Sequence, residues 1–249
     1  MSRNAEESGS VIYCHIGLHK NGTTAFQNWL EQNKAWVEDH GIAPYIPFFV
    51  VSNFNGSEIG HAILRKGVRS SPVLRGNNIA SLRTHLHEQI ASASKLSRSL
   101  LISGEEISLL RTRRECLALK ALVGPRAKVK IILCLRERAA WWSSFEHQIE
   151  RTGQKGQSRE NSWACPSSKS WLTDFNGLIN VLKDNFSDVM VFTHKQDNTP
   201  KLLELLGIPL PPDYRPSFAN KRRPAGIVLY RKPICCINFR RETATLPGI

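Results

Sequence analysis

Lys20 stands between two glycines and ahead of two threonines in Gly17-Leu-His-Lys-Asn-Gly-Thr-Thr24, a grouping of residue types suited to gripping an anion. The residues before it, Val11 to Ile16, read as a short apolar strand, and a helix opens at Thr23 or Thr24. A loop held between a strand end and a helix N-terminus presents converging backbone N–H groups and the positive end of a helix dipole. Lys20 adds a mobile positive charge. The chemistry expected of such a cradle is the binding of a phosphate or sulfate.

Spacing narrows the kind of loop. The nucleoside-triphosphate P-loop reads G-x-x-x-x-G-K-[ST], with its lysine after the second glycine and its hydroxyl on Mg²⁺. Gly17 and Gly22 have that separation, and Thr24 takes the hydroxyl place. Thr23 occupies the lysine place, and the lysine has moved forward to Lys20. This pattern suits a single 5′-phosphate better than a β/γ-phosphate with Mg²⁺.

His15-Ile-Gly-Leu-His-Lys-Asn-Gly-Thr-Thr24 resembles the 5′-phosphosulfate loop of sulfotransferases that use 3′-phosphoadenosine 5′-phosphosulfate (PAPS), in particular their bacterial sulfotransferase-like branch. Asn21 stands where that branch usually carries Thr or Ser. The resemblance implies a second element, an arginine at a strand end with a serine eight positions later, holding the 3′-phosphate. Arg136 and Ser144 stand at that interval in Leu135-Arg-Glu-Arg-Ala-Ala-Trp-Trp-Ser-Ser-Phe145. The arginine offers a planar fork of donors suited to phosphate. Ser144 is expected on a helix face shared with Trp141, while Trp142 and Phe145 face the core. The plain alternative is a solvated arginine and an ordinary helix serine.

In this reading Lys20, Asn21, Gly22, Thr23 and Thr24 bind the phosphosulfate, Lys20 steadies the leaving oxygen, and PAPS is the co-substrate with no metal expected. Two candidates remain for the base that deprotonates an acceptor. Glu105 ends the strand Ile102-Ser-Gly-Glu-Glu106, which looks like the family's serine-serine-glutamate stretch with Gly104 for the second serine. His61 lies in Gly60-His-Ala-Ile-Leu64, similar to a histidine-containing segment of the family. His15 and His19 are expected to orient the loop or pack beside it. The resemblance runs over about residues 10–210 and departs from the family in the tail, where Pro233 and Cys235-Cys236 interrupt the usual closing helix.

The formal charge of +13 and pI near 9.8 call for anionic partners. A nucleotide donor with a hydroxyl-bearing acceptor, an anionic glycan or lipid, fits that charge. A basic module binding nucleic acid or acidic polysaccharide fits it too, but leaves the glycine-lysine-glycine-threonine loop unexplained. A P-loop kinase or NTPase is the third reading, disfavoured by Thr23 at the lysine place. The six cysteines show no C-x-x-C pair and no zinc spacing. The polar first ten residues lack a signal-peptide core, and no apolar run reaches spanning length, so a cytoplasmic location is expected.

Apolar strands alternating with helical periodicity must position these residues. Val11–Ile16, Ser99–Ser103, Lys128–Leu135 and Val189–Thr193 read as strands, and Lys128–Leu135 is too apolar to have a solvated face. Such strands argue an α/β three-layer sandwich with a central, mostly parallel sheet, P-loop sulfotransferase-like. Helices are expected over Phe26–Val37, Ile79–Ala93, Leu109–Val123, Trp171–Phe186 and Lys201–Leu206. The span Ser52–Asn78 reads as an irregular acceptor-handling loop. One domain, 10–216, with a basic segment, 217–249, is the expected organisation.

Overall fold

The computed structural model describes residues 11–18, 21–48, 56–64, 78–124, 127–152 and 171–216. The chain divides into two units, Met1–Ala219 and Asn220–Ile249, and every element described belongs to the first. Five strands form one sheet: β1 (Val11–Gly17), β2 (Ile42–Pro44), β3 (Ser99–Ser103), β4 (Lys128–Leu135) and β5 (Asp188–Thr193). Their order is β2-β3-β1-β4-β5 and every pairing is parallel. Pro44 is tolerated because it ends an edge strand, where a missing N–H costs no ladder bond.

Alternation along the strands creates two cores. Ile12, Cys14 and Ile16 of β1, Leu100 and Ile102 of β3, and Val129, Ile131 and Leu133 of β4 point to one face. There they meet α3 (Ser57–Leu64), α4 (Asn78–Lys95), α5 (Arg113–Val123), α6 (Arg138–Thr152) and α7 (Phe175–Asn185). Tyr13, Leu101, Ile132, Met190 and Phe192 point to the other face. They pack on α1 (Thr23–Gln32), α2 (Lys34–Asp39) and α8 (Thr199–Leu206). Each fully buried aliphatic side chain contributes about 1.5–3 kcal/mol, so a strand buried on both sides is fixed in register by both cores at once. The expected α/β sandwich, a parallel sheet between two helical layers, is what forms.

Several elements differ from the sequence expectation, for local reasons. The helix expected over Phe26–Val37 is broken at Asn33, whose side chain and backbone N–H both bond the Trp29 carbonyl. Asparagine competes with the backbone in this way and ends helices. The helix expected from Leu109 begins instead at Arg113, where Thr112 and Glu115 form a reciprocal capping box. Before it, Glu105–Leu109 is a 3-10 turn. Ser52–Asn78 is not irregular throughout: α3 lies inside it, and all its residues except Ile63 are buried. His61 is therefore on a packed helix and not in a loop.

Candidate functional site

Parallel strands bring their carboxyl ends to one edge, and β1 sits between β3 and β4 there. The chain leaves β1 on one face of the sheet and leaves β3 and β4 on the other. That divergence is the switch point at which open α/β sheets bind ligands. Gly17 pairs with Cys134, two residues before Arg136, so the loop after β1 and the arginine after β4 rise from adjacent strand tips. Glu105 follows β3 on the same edge.

The loop is stapled to its neighbours. Leu18 and Asn21 are buried at its two ends, and the Asn21 N–H donates to the Leu18 carbonyl at 3.1 Å. The Asn21 side chain turns inward and donates from Nδ2 to the Cys134 carbonyl at 2.8 Å. Asn21 thus secures the loop to β4. A Cβ on Gly17 would stand 3.0 Å from the Thr23 hydroxyl, a tight approach that favours glycine there. Gly22 has φ 76°, a left-handed conformation that a side chain makes costly.

Gly22 caps α1 without a side chain, and the first turn of α1 holds no acidic residue. By contrast, α5 and α7 carry side-chain caps from Thr112 and Asp174. At α6, Glu137 accepts from Ala139 N–H at 2.9 Å and from Ala140 N–H at 2.7 Å. Those bonds hold the Glu137 carboxyl below the usual carboxylate range. The α6 terminus is therefore filled by the chain's own anion. The α1 terminus keeps its positive end for something else. Thr23 Oγ1 and Asn21 Oδ1, both buried there, have no hydrogen-bond partner among the described residues. Thr24 is exposed in the same turn.

The remaining candidates fall as follows. Arg136 is half-buried at the tip of β4, and Ser144, half-buried on α6, lies two turns into the helix, roughly 9 Å along its axis from Arg138. Trp141 is fully buried and stacked on Phe145 at 5.0 Å, so it belongs to the core face and does not share the solvent face expected for Ser144. Lys20 and His19 lie outside the described residues. His61 is buried with Nε2 3.5 Å from Glu106 Oε1, so the carboxylate facing it is Glu106 and not Glu105. Gly104 stands where the family pattern has a serine because Gly56 approaches it: a Cβ would lie 2.8 Å from the Gly56 carbonyl carbon. Among the described residues no group of three or more His, Cys, Asp or Glu is arranged to hold a metal ion.

His15 supports the edge from below. Its Nδ1 lies 2.9 Å from Ser103 Oγ, and Gln27 of α1 donates to the Ser103 carbonyl at 3.0 Å. β1, β3 and α1 are thereby tied together beneath the loop. Burial pushes the His15 ring down to about 3, so it is neutral in the folded protein. The unfolded chain takes up this proton below about pH 6.5. The His15 contribution to stability is thus complete above about pH 6.5 and is lost as pH falls towards 3, at about 1.4 kcal/mol per pH unit. Urea unfolding of wild type and His15→Asn across that window tests this. Equal slopes for the two proteins would mean that His15 is not a buried neutral ring.

Two residues that sequence reasoning missed complete the loop. His194 follows β5, its N–H donating to the Leu135 carbonyl, and its ring lies where a Cβ on Gly22 would approach Cε1 to 3.2 Å. Asn198, the N-cap of α8, donates from Nδ2 to the Asn21 carbonyl at 2.8 Å and contacts His194 Nδ1 at 2.7 Å. Neither lies in a motif. Their distance in sequence from the loop, 177 residues between Asn21 and Asn198, left no signal to find.

The chain matches no family model and no curated protein sequence. Among solved structures it is similar to the full-length tRNA isopentenylpyrophosphate transferase of Bacillus halodurans, with 10% identity and a TM-score of 0.35 over 79% of this chain and 94% of that one. A likeness of that size carries no functional argument. No described helix is long and apolar enough to cross a membrane.

Proposed function

We propose that the chain is a PAPS-dependent sulfotransferase, moving a sulfuryl group to a hydroxyl or amine of a glycan, glycolipid or small metabolite. One observation carries the reading: the N-terminus of α1, where the buried Thr23 hydroxyl has no partner and the helix no side-chain cap among the described residues, stands beside the strand tip that bears Arg136. Two anion-holding elements on neighbouring strands suit a donor that carries phosphates at both ends of a nucleoside.

The amides of Gly22, Thr23 and Thr24 hold the 5′-phosphosulfate, and Arg136 with Ser144 holds the 3′-phosphate. Lys20 is assigned to stabilise the charge that grows on the leaving 5′-phosphate oxygen. Glu105, half-buried at the end of β3, is assigned as the acceptor's base. His61, buried against Glu106, is the second choice. In the reaction the acceptor oxygen bonds to sulfur as the bond from sulfur to the 5′-phosphate oxygen breaks. The acceptor proton passes to the base, and adenosine 3′,5′-bisphosphate leaves.

The Mg²⁺-nucleotide alternative is weakened by a particular feature. Thr23, at the place of the P-loop lysine, is buried with its hydroxyl over Gly17, so no long cation extends from there to a γ-phosphate.

Calorimetric titration with adenosine 3′,5′-bisphosphate is the direct test. Saturable binding is expected in wild type, and Arg136→Ala should weaken it roughly 10- to 100-fold, the cost of about 1.5–3 kcal/mol for a charge-assisted hydrogen bond. Arg136→Lys should recover only part of that, since lysine lacks the planar fork. Wild-type protein that ignores the bisphosphate but hydrolyses ATP with Mg²⁺ would replace this reading with an NTPase. An acceptor screen with radiolabelled PAPS then identifies the second substrate.

A further inference from the structure

The connection from β5 to α8 contributes no residue to the donor-binding pattern, yet it hydrogen-bonds the anion loop at 2.8 Å, as closely as β4 does. We propose that His194 and Asn198 are positioning residues that set the shape of the anion loop, and through it the affinity for the donor. This rests on the reading of that loop as the donor site.

Bond directions define the device. Asn198 Oδ1 accepts from the Lys195 N–H at 2.9 Å, which fixes its Nδ2 as the donor end. Nδ2 then serves both the Asn21 carbonyl at 2.8 Å and His194 Nδ1 at 2.7 Å, and it lies 3.4 Å from Cys134 Sγ. His194 Nδ1 must therefore be an unprotonated acceptor. Burial, and next the positive charge of Arg136, hold this ring below the ordinary histidine range, which favours its neutral form. The ring also closes over Gly22, the residue whose left-handed φ starts α1. From the other side, the Asn21 side chain is bonded to the Cys134 carbonyl. The peptide between Asn21 and Gly22 is thus gripped by β4 on one side and by the β5–α8 connection on the other. A peptide gripped on one side alone can rotate its amides away from an anion.

A structural prop and a loop-shaping pair differ in where their loss is felt. Amide exchange in full-length protein reads this directly at Asn21, Ala25 and Phe26, whose N–H groups bond Leu18 and Gly22 carbonyls. His194→Leu and Asn198→Ala should each speed exchange at those amides at least about tenfold, with β3 and α5 unchanged, since each leaves a buried partner unbonded. Both should weaken adenosine 3′,5′-bisphosphate binding by about tenfold. His194→Asn, which puts an amide oxygen near the place of Nδ1, should stay within about threefold of wild type on both measures. Unchanged loop exchange in His194→Leu overturns the proposal. So does equal acceleration in the Leu and Asn variants, or acceleration spread evenly through the sheet. If wild type does not bind the bisphosphate, the donor reading fails by itself, and loop exchange still decides whether His194 and Asn198 shape the loop.

Discussion

Lys20→Ala is expected to slow sulfuryl transfer by roughly 10²–10³-fold, the cost of removing one donor aimed at developing charge. Its position explains the size. In sequence it falls between Leu18 and Asn21, both buried and joined by a hydrogen bond just ahead of the α1 terminus. Charge on the leaving oxygen is larger in the transition state than in the bound donor, so the lysine acts mainly on the rate. Affinity for adenosine 3′,5′-bisphosphate should therefore fall far less than turnover. Lys20→Arg should retain part of the rate, because it keeps the charge but changes the reach. Single-turnover measurement with radiolabelled PAPS and an acceptor from the screen separates the two effects. A Lys20→Ala protein that turns over like wild type would end the transferase reading, because Gly17–Thr24 holds no second lysine or arginine to take its place.

Gly60→Ala is expected to destabilise the fold by about 3 kcal/mol, at the upper end of the usual cost of overpacking. Helix propensity alone argues the opposite sign, since alanine in a helix interior is favoured over glycine by about 1 kcal/mol. Packing wins here. A Cβ on Gly60 would lie 2.5 Å from the carbonyl carbon of Glu106 and 2.7 Å from its oxygen, and backbone cannot swing aside as a side-chain end can. α3 would have to lift from the 3-10 turn, carrying His61 away from Glu106. Urea unfolding measures the loss. Gly41→Ala is the comparison: its φ of 80° is strained for alanine, but nothing lies within 4 Å, so only the backbone cost of about 1–2 kcal/mol should appear. A Gly60→Ala protein more stable than wild type would mean that α3 does not dock as described.

The two cases mark how far the residues could be read alone. Lys128–Leu135 was legible as a central strand because continuous apolar character is what burial on both faces demands, and its bounds are those of β4. The bracketing of the loop by Gly17 and Gly22 was legible because φ and close approach leave a glycine requirement in the sequence. α3 was not. It is only eight residues long, too short for a period to stand out, and its buried residues include Ser57, Glu58, Gly60 and His61 beside the apolar ones. Trp141 and Trp142 were not separable either, since adjacent positions differ by only about 100° around a helix axis, and either could have shared the core with Phe145. Trp141 is the one fully buried, and Trp142 packs against the same core half-buried.

Local chemistry therefore determined the parallel α/β class and the pair of strand ends, one followed by the glycine-lysine loop and one by Arg136. Steric rules and the hydrophobic period act over a few residues and are written where they act. Tertiary structure alone decided that β1 and β4 are neighbours, that Glu137 fills the α6 terminus while α1 has no side-chain cap among the described residues, and that Asn198 reaches the Asn21 carbonyl. Contacts between residues far apart in the chain depend on how the two cores close around the sheet, and single hydrogen-bonding side chains such as His194 and Asn198 carry no period from which that closure could be read.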